Sequence, residues 1–365
     1  MKPTEIIRRR LANQHLAGKP LSTPLEVVSA QGALQAQDFY GALWALAQRL
    51  PAGWTESAVE AWFADGRILR THILRPTWHF VAPEDLGWML LLSAPRVNAF
   101  NAYMYRQHGI DTATQKRSLK ALQRSLEGGR QLMRKELAEA LEDSGIPIGS
   151  GAPGSIRLAH IIMFAELAGL ITSGPRRGKQ FTYMLLDERA PAARRLPARA
   201  EALAELARRY FGARGPASAH DFAWWSGLTL ADCRAAAQAA GLHSTELDGK
   251  TYWWSKERAP ARSVRSAWLL PNFDEYGIGF ADRRHIEPQA YKSFWAGGNY
   301  MLPHFYIING RTAGMWKREL GKQEVRITLQ SPFGGDLRAD AKVLDGNIQR
   351  YAKFLGLAAK VELLV

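Results

Sequence analysis

Gln35-Ala36-Gln37, followed directly by Asp38, places two neutral amides and one carboxylate within four residues. A glutamine neither removes a proton nor becomes a nucleophile at neutral pH; its oxygen accepts hydrogen bonds and its amide nitrogen donates two. Two such groups aimed at one point can orient a water and offer an oxygen dipole to a developing positive charge. That is positioning and electrostatics rather than general base catalysis. Asp38 is the one group of the four able to take a proton, and its competing duty is to cap the following helix. Without a target, Gln35 and Gln37 would be two ordinary surface amides at a helix end.

The flanking segments read as helices. Thr23-Pro24-Leu25-Glu26 has the form of a capping box with proline at the first helical position. Downstream, Ala42, Leu43, Leu46, Ala47 and Leu50 recur at spacings of three and four. Residues two apart point to nearly opposite sides of a helix, so the two amides converge only if they sit at a helix junction. A third helix is expected over residues 55–65, stopped by Gly66. Residues 68–81, rich in β-branched and aromatic side chains and broken at Arg75-Pro76, read as two strands around a turn. Three helices and a strand pair are the winged-helix order, assigned to residues 1–110. Arg8-Arg9-Arg10, on a short amphipathic helix with Ile6, Ile7 and Leu11, are expected on its solvated face.

The order recurs. In residues 113–187, helices are expected over 119–126, 134–141 and 156–167, the last after a flexible Gly149–Ser155. Strands at 170–172 and 181–186 flank a basic turn, Gly174-Pro175-Arg176-Arg177-Gly178-Lys179. Such a tip reaches DNA phosphates without reading bases, or is simply solvated. A third unit fits 198–256: helices at 202–211, from Ser218 through Trp224-Trp225, and 229–240, then a hairpin around Asp248-Gly249. Trp224 and Trp225 suit the core, or stacking on a flipped base. From 266 to 365 strands at 305–308, 311–316, 325–329 and 361–365 and a helix at 337–355 form a mixed α/β module. The expected fold is α+β: tandem winged-helix repeats plus that module.

The formal charge of +14 calls for a polyanionic partner, nucleic acid first and an anionic membrane second. No run approaches the roughly 18 apolar residues that span a bilayer, and no signal-peptide core follows Met1, so the chain is expected in the cytoplasm. Cys233 is the sole cysteine, which excludes an internal disulfide and multi-cysteine metal sites. His72 and His79 lack a convincing third metal ligand, so no metal and no cofactor are expected. Asp274, Glu275 and Asp282 either form a carboxylate pair for acid–base work or serve structure. The 229–240 helix offers few long polar side chains beyond Arg234 and Gln238, which suits bidentate base reading poorly.

Residues 34–38 (Leu-Gln-Ala-Gln-Asp), 71–80 (Thr-His-Ile-Leu-Arg-Pro-Thr-Trp-His-Phe) and 270–276 (Leu-Pro-Asn-Phe-Asp-Glu-Tyr), in that order, resemble the winged-helix DNA glycosylases of the AlkZ/YcaQ type. The resemblance runs from about Ile6 to the C-terminus. The Gln-x-Gln core matches the AlkZ-like branch; the YcaQ-like branch has aspartate at position 37. It implies that Gln35 and Gln37 are catalytic and that residues 71–79 wall the lesion site, touching DNA or bracing the glutamines. Asp38, His72, Thr77 and His79 are then candidates for catalytic support, and Arg75, Arg176, Arg177 and Lys179 for DNA binding. Because amides provide no acid, the substrate must leave unaided. An N7- or N3-alkylated purine is already cationic and departs neutral. The expected activity is a monofunctional glycosylase on such purines in double-stranded DNA, extending to bulky adducts and interstrand crosslinks, acting as a monomer. The alternative is a non-enzymatic winged-helix DNA-binding protein, regulatory or architectural.

Overall fold

The computed structural model describes residues 1–191, 197–255, 266–287, 303–332 and 334–364. Lys256 and Val365, which close the expected third unit and last strand, lie outside the described residues. The first unit runs α1 (Pro3–Asn13), α2 (Pro24–Gln31), β1 (Leu34–Gln35), α3 (Phe39–Gln48), α4 (Glu56–Ala64), β2 (Leu69–His72) and β3 (Trp78–Val81). Thr23 Oγ1 accepts the Glu26 N–H, as the capping-box signal requires, while Thr55, expected inside its helix, caps α4 instead. The antiparallel sheet has the order β1-β3-β2. A 25-residue helix that the sequence reading did not anticipate, α5 (Pro83–Gln107), then leaves the unit.

The second unit repeats the order: α6 (Thr112–Leu126), β4 (Leu132–Met133), α7 (Arg134–Asp143), α8 (Gly151–Leu167), β5 (Ile171–Arg177), β6 (Gln180–Leu185) and a short α9 (Leu186–Arg189). Its sheet, β4-β6-β5, has the same arrangement as the first. Two expectations are corrected. Helix α8 begins at Gly151, inside the glycine- and serine-rich stretch expected to be flexible. Strand β5 continues through a register shift to Arg177, so the hairpin tip is Gly178-Lys179 alone.

The third unit comprises α10 (Arg199–Arg214), α11 (Ala219–Ser226), α12 (Leu230–Ala239), β7 (His243–Leu247) and β8 (Lys250–Trp254). Ser218 and Asp221 form the capping box of α11, and Gly227 ends it in the left-handed conformation. A single antiparallel bridge between Ala217 and Trp253 stands where the other units have their first strand.

The C-terminal module contains β9 (Ala267–Leu270), a short α13 (Glu275–Ile278), β10 (His304–Ile308), β11 (Arg311–Leu320), β12 (Glu324–Gln330), α14 (Leu337–Leu355) and β13 (Ala358–Leu364). Its sheet runs β13-β12-β11-β10-β9, with β12 and β13 parallel across α14. Helix α3 is apolar on every side because it is shared. Its own unit covers one side, and Tyr306, Trp316, Tyr351 and Phe354 of the module belong to the same core. The Trp44 indole donates to Leu269 O at 2.7 Å and meets the Tyr351 ring at 4.8 Å. Arg10, expected in solvent, is fully buried; its guanidinium donates to Pro216 O and covers the Phe280 ring. Its chain neighbours supply the charged face, while position 10 turns inward toward the third unit. Among the described residues no helix is long and apolar enough to cross a membrane.

Candidate active site

Gln35 lies on a strand rather than at a bare helix junction, which corrects the sequence expectation. In the β1–β3 pairing it stands directly opposite His79. The Ala36 N–H continues the ladder by donating to Trp78 O at 2.7 Å. Extended backbone alternates its side chains, so Ala36 turns into the core on the side opposite Gln35, and the strand ends there, leaving Gln37 in the bend before α3. Ala36 is fully buried and Gln35 is only 7% exposed, whereas Gln37 is exposed. The strand dipeptide escaped the sequence reading because two residues carry no measurable period.

Charged groups from other units and from its own hold this strand. The Gln35 N–H donates to Glu275 Oε1 at 2.8 Å. Glu275 Oε2 accepts from the Arg214 guanidinium at 2.7 Å and from the Trp225 indole at 3.0 Å. Arg214 also donates to the carbonyls of Gln31 and Ala33, the residues leading into β1. From the other side Arg70 Nε donates to Ala36 O at 3.0 Å. Asp274 accepts both Arg49 terminal nitrogens at 2.9 Å, at the C-terminal end of α3. Of the two roles open to Asp274, Glu275 and Asp282, the acid–base pair does not form. Asp274 is committed to Arg49, Glu275 to Arg214, and Asp282 to Lys250 and Arg284. Arg49 and Arg214 were missed, since an arginine in a helix's last turn looks like any solvated one.

The Gln35 side chain is oriented by Arg75, whose Nη2 donates to Gln35 Oε1 at 2.9 Å. Burial lowers the Arg75 pKa, with Glu275 opposing the shift. Arg75 reaches inward from a tight turn in which its N–H bonds back to Ile73 O at 2.7 Å, forcing Leu74 to a φ of +63°. Gly227 presses against that turn: a Cβ there would lie 2.5 Å from Leu74 O. Arg75 Nη1 additionally donates to Trp224 O at 3.4 Å. The two tryptophans separate, Trp225 fully buried and Trp224 52% exposed beside the site.

His79 Nδ1–H donates to Thr77 O at 2.9 Å, which leaves Nε2 as the acceptor; that atom is buried and bonded to no described residue. Burial and then the Arg75 charge hold its pKa well below the histidine range. Thr77 Oγ1 is likewise buried and unbonded. His72 alternates to the opposite face of β2, where Nδ1 meets Glu166 of α8 and the ring lies 4.3 Å from Trp78. It braces the sheet from behind and does not line the site. Asp38 caps α3: Oδ1 accepts the Gly41 N–H at 3.1 Å. Gly41 is needed there, since a Cβ would sit 2.7 Å from Asp38 Oδ2 and 3.2 Å from Pro271.

The basic hairpin differs from expectation. The Arg176 side chain is only 10% exposed and bonds Tyr40 Oη and Glu60. Arg177 pairs with Glu136 and Gln131 O. Lys179 alone projects from the tip. Among the described residues no group of three His, Cys, Asp or Glu is placed to hold a metal ion.

The DNA glycosylase AlkZ-like family model matches residues 28–354, about nine-tenths of the chain. The chain belongs to the AlkZ-like DNA glycosylase family. It is therefore classed as an enzyme, and the regulator reading is set aside. An interstrand DNA cross-link repair glycosylase of Streptomyces sahachiroi is 24% identical over 97% of this chain and 96% of its own. The solved structure of Streptomyces sahachiroi DNA glycosylase AlkZ superposes with a TM-score of 0.80, at 22% identity over 99% of both chains, a likeness of fold.

This AlkZ-like glycosylase buries several histidines in the neutral form. Burial lowers His304 and His285 to about 4, and His79 moves the same way. The unfolded chain binds these protons near pH 6.5 and the folded chain does not, so stability falls as pH drops from about 6.5 toward 4. Each histidine contributes up to about 1.4 kcal/mol per pH unit. Urea midpoints measured at pH 7.5, 6.0 and 5.0 should fall progressively. Equal midpoints at pH 6.0 and 5.0 would contradict neutral burial.

Proposed function

We propose that this AlkZ-like glycosylase hydrolyses the N-glycosidic bond of cationic N7- or N3-alkylated purines in double-stranded DNA, including bulky adducts and interstrand crosslinks. The observation that carries this reading is the commitment of the carboxylates around Gln35. Both Glu275 oxygens are taken by Gln35, Arg214 and Trp225, and Asp274 is held by Arg49. Asp38 spends Oδ1 on the α3 cap. The polar side chains of the 35–37 segment itself are amides, which supports departure of a base that needs no protonation. Carboxylates perform that protonation in ordinary glycoside cleavage. The name of the Streptomyces relative, an interstrand cross-link repair glycosylase, supports the extension to crosslinks. In this reading Gln37, exposed and bonded to no described residue, orients the attacking water, and Lys179 contacts phosphate.

The test is release of free base from duplex DNA carrying a single N7-methylguanine, followed by unhooking of an N7-linked interstrand crosslink. Release from both is expected, with no release of unmodified guanine. Failure on N7-methylguanine and on bulkier N7 adducts would overturn the substrate class. Release of N7-methylguanine without unhooking would confine it to monoadducts.

A further inference from the structure

The two glutamines are not equivalent. A guanidinium carries five donors and no acceptor, so the side-chain atom of Gln35 that meets Arg75 Nη2 at 2.9 Å is its oxygen. The charge-assisted bond turns the Gln35 NH2 away from Arg75 and leaves it free of that partner. A free amide samples both orientations, whereas one held by an ionised donor presents a single polarity. Gln37 carries no such partner among the described residues, so its oxygen stays available. Around Arg75, the Gly227 contact on Leu74 and the Arg75 bond to Trp224 O leave the guanidinium little freedom to swing away. Directly across the sheet, His79 presents an unprotonated Nε2 rather than a donor, so it does not duplicate the Gln35 NH2.

We infer that Arg75 is a positioning residue that locks Gln35 as a hydrogen-bond donor toward an acceptor on the damaged nucleotide, a purine or sugar oxygen or ring nitrogen. Holding the attacking water falls to the oxygen of Gln37. This assignment rests on the reading of Gln35 and Gln37 as the groups that act at the glycosidic bond. It departs from the expectation that Arg75 binds DNA and that Gln35 and Gln37 together orient the water and offer an oxygen dipole to the developing charge. A water attacks through its own lone pair and must donate its protons, so a locked donor at position 35 is poorly suited to activating it. The same donor is well suited to holding the damaged nucleotide in place while its base leaves.

The experiment compares single-turnover release of N7-methylguanine at saturating enzyme by wild type, Arg75→Ala, Arg75→Lys and Gln35→Glu. Duplex affinity and its salt dependence are measured alongside. Arg75→Ala should lower the saturated rate on the order of 10²-fold, the scale of a misplaced reacting group. Its affinity and salt slope should stay near wild type. Arg75→Lys, still a charged donor without acceptors, should restore most of the rate. Gln35→Glu should be as slow as Gln35→Ala, because a carboxylate paired to Arg75 has no hydrogen to donate. A Gln35→Glu variant as fast as wild type would overturn the donor assignment. So would Arg75→Ala with a wild-type saturated rate and a flattened salt slope, the mark of a phosphate contact.

A second measurement does not depend on activity. The 15N side-chain amide resonance of Gln35, identified by its loss in Gln35→Glu, should move toward the free-glutamine position in Arg75→Ala and stay in place in Arg75→Lys. If wild type releases no base, the substrate proposal fails while this resonance still decides the Arg75 lock. An unchanged Gln35 resonance in Arg75→Ala would overturn it.

Discussion

Changing Gln35 or Gln37 to alanine should slow release of N7-methylguanine by on the order of 10²–10³ each, the usual cost of removing one preorganised polar contact from such a site. DNA affinity should change little, because neither amide is charged. Gln37→Asp should keep appreciable activity, since an aspartate accepts from water as the amide oxygen does and also takes its proton. Asp38→Ala is the control: it removes the α3 cap, bonded at 3.1 Å, and should cost about 1 kcal/mol of stability with the chemical step retained. Single-turnover rates decide the matter. Wild-type rates in both alanine variants, with loss in Asp38→Ala, would move the chemistry to the carboxylate.

The largest effect on stability should come from the ion pairs beneath the site. Arg49 and Asp274 are fully buried and bonded through both guanidinium nitrogens at 2.9 Å. Removing one partner strands the other in a medium that solvates it poorly, at a cost of about 3–5 kcal/mol. Asp274→Ala should therefore lower the urea midpoint sharply. The double variant Arg49→Met with Asp274→Leu should recover part of the loss, because it removes the desolvated charge together with its partner. Glu275→Gln should be as damaging and should also slow base release, since Glu275 Oε1 fixes the Gln35 N–H at 2.8 Å. An Asp274→Ala midpoint equal to wild type would mean that the pair does not anchor the module to α3.

Local signals were readable without the structure. The Thr23 cap, the stop at Gly66, the Asp248-Gly249 hairpin and the whole of α14 each depend on a few neighbouring residues. Periodicity and turn chemistry therefore declare them. The three ordered motifs likewise marked Gln35, Arg75, His79 and Glu275 as belonging together. Short strands were not readable: β1 and β4 span two residues each, too few to show alternation. Nor was α5, whose length follows from packing between units rather than from one clean apolar stripe.

The composition and motif order were enough to specify a basic, winged-helix chain with a Gln-x-Gln centre. Tertiary structure decided which groups act on that centre. Glu275 reaches Gln35 across 240 positions and Asp274 reaches Arg49 across 225. Arg75 turns from solvent to Gln35, and Arg176 from the hairpin tip to Tyr40 and Glu60. The physical reason is that a charged side chain takes its partner from whatever surface the fold brings within hydrogen-bond distance. Nothing in its own sequence neighbourhood distinguishes a buried, paired arginine from a solvated one.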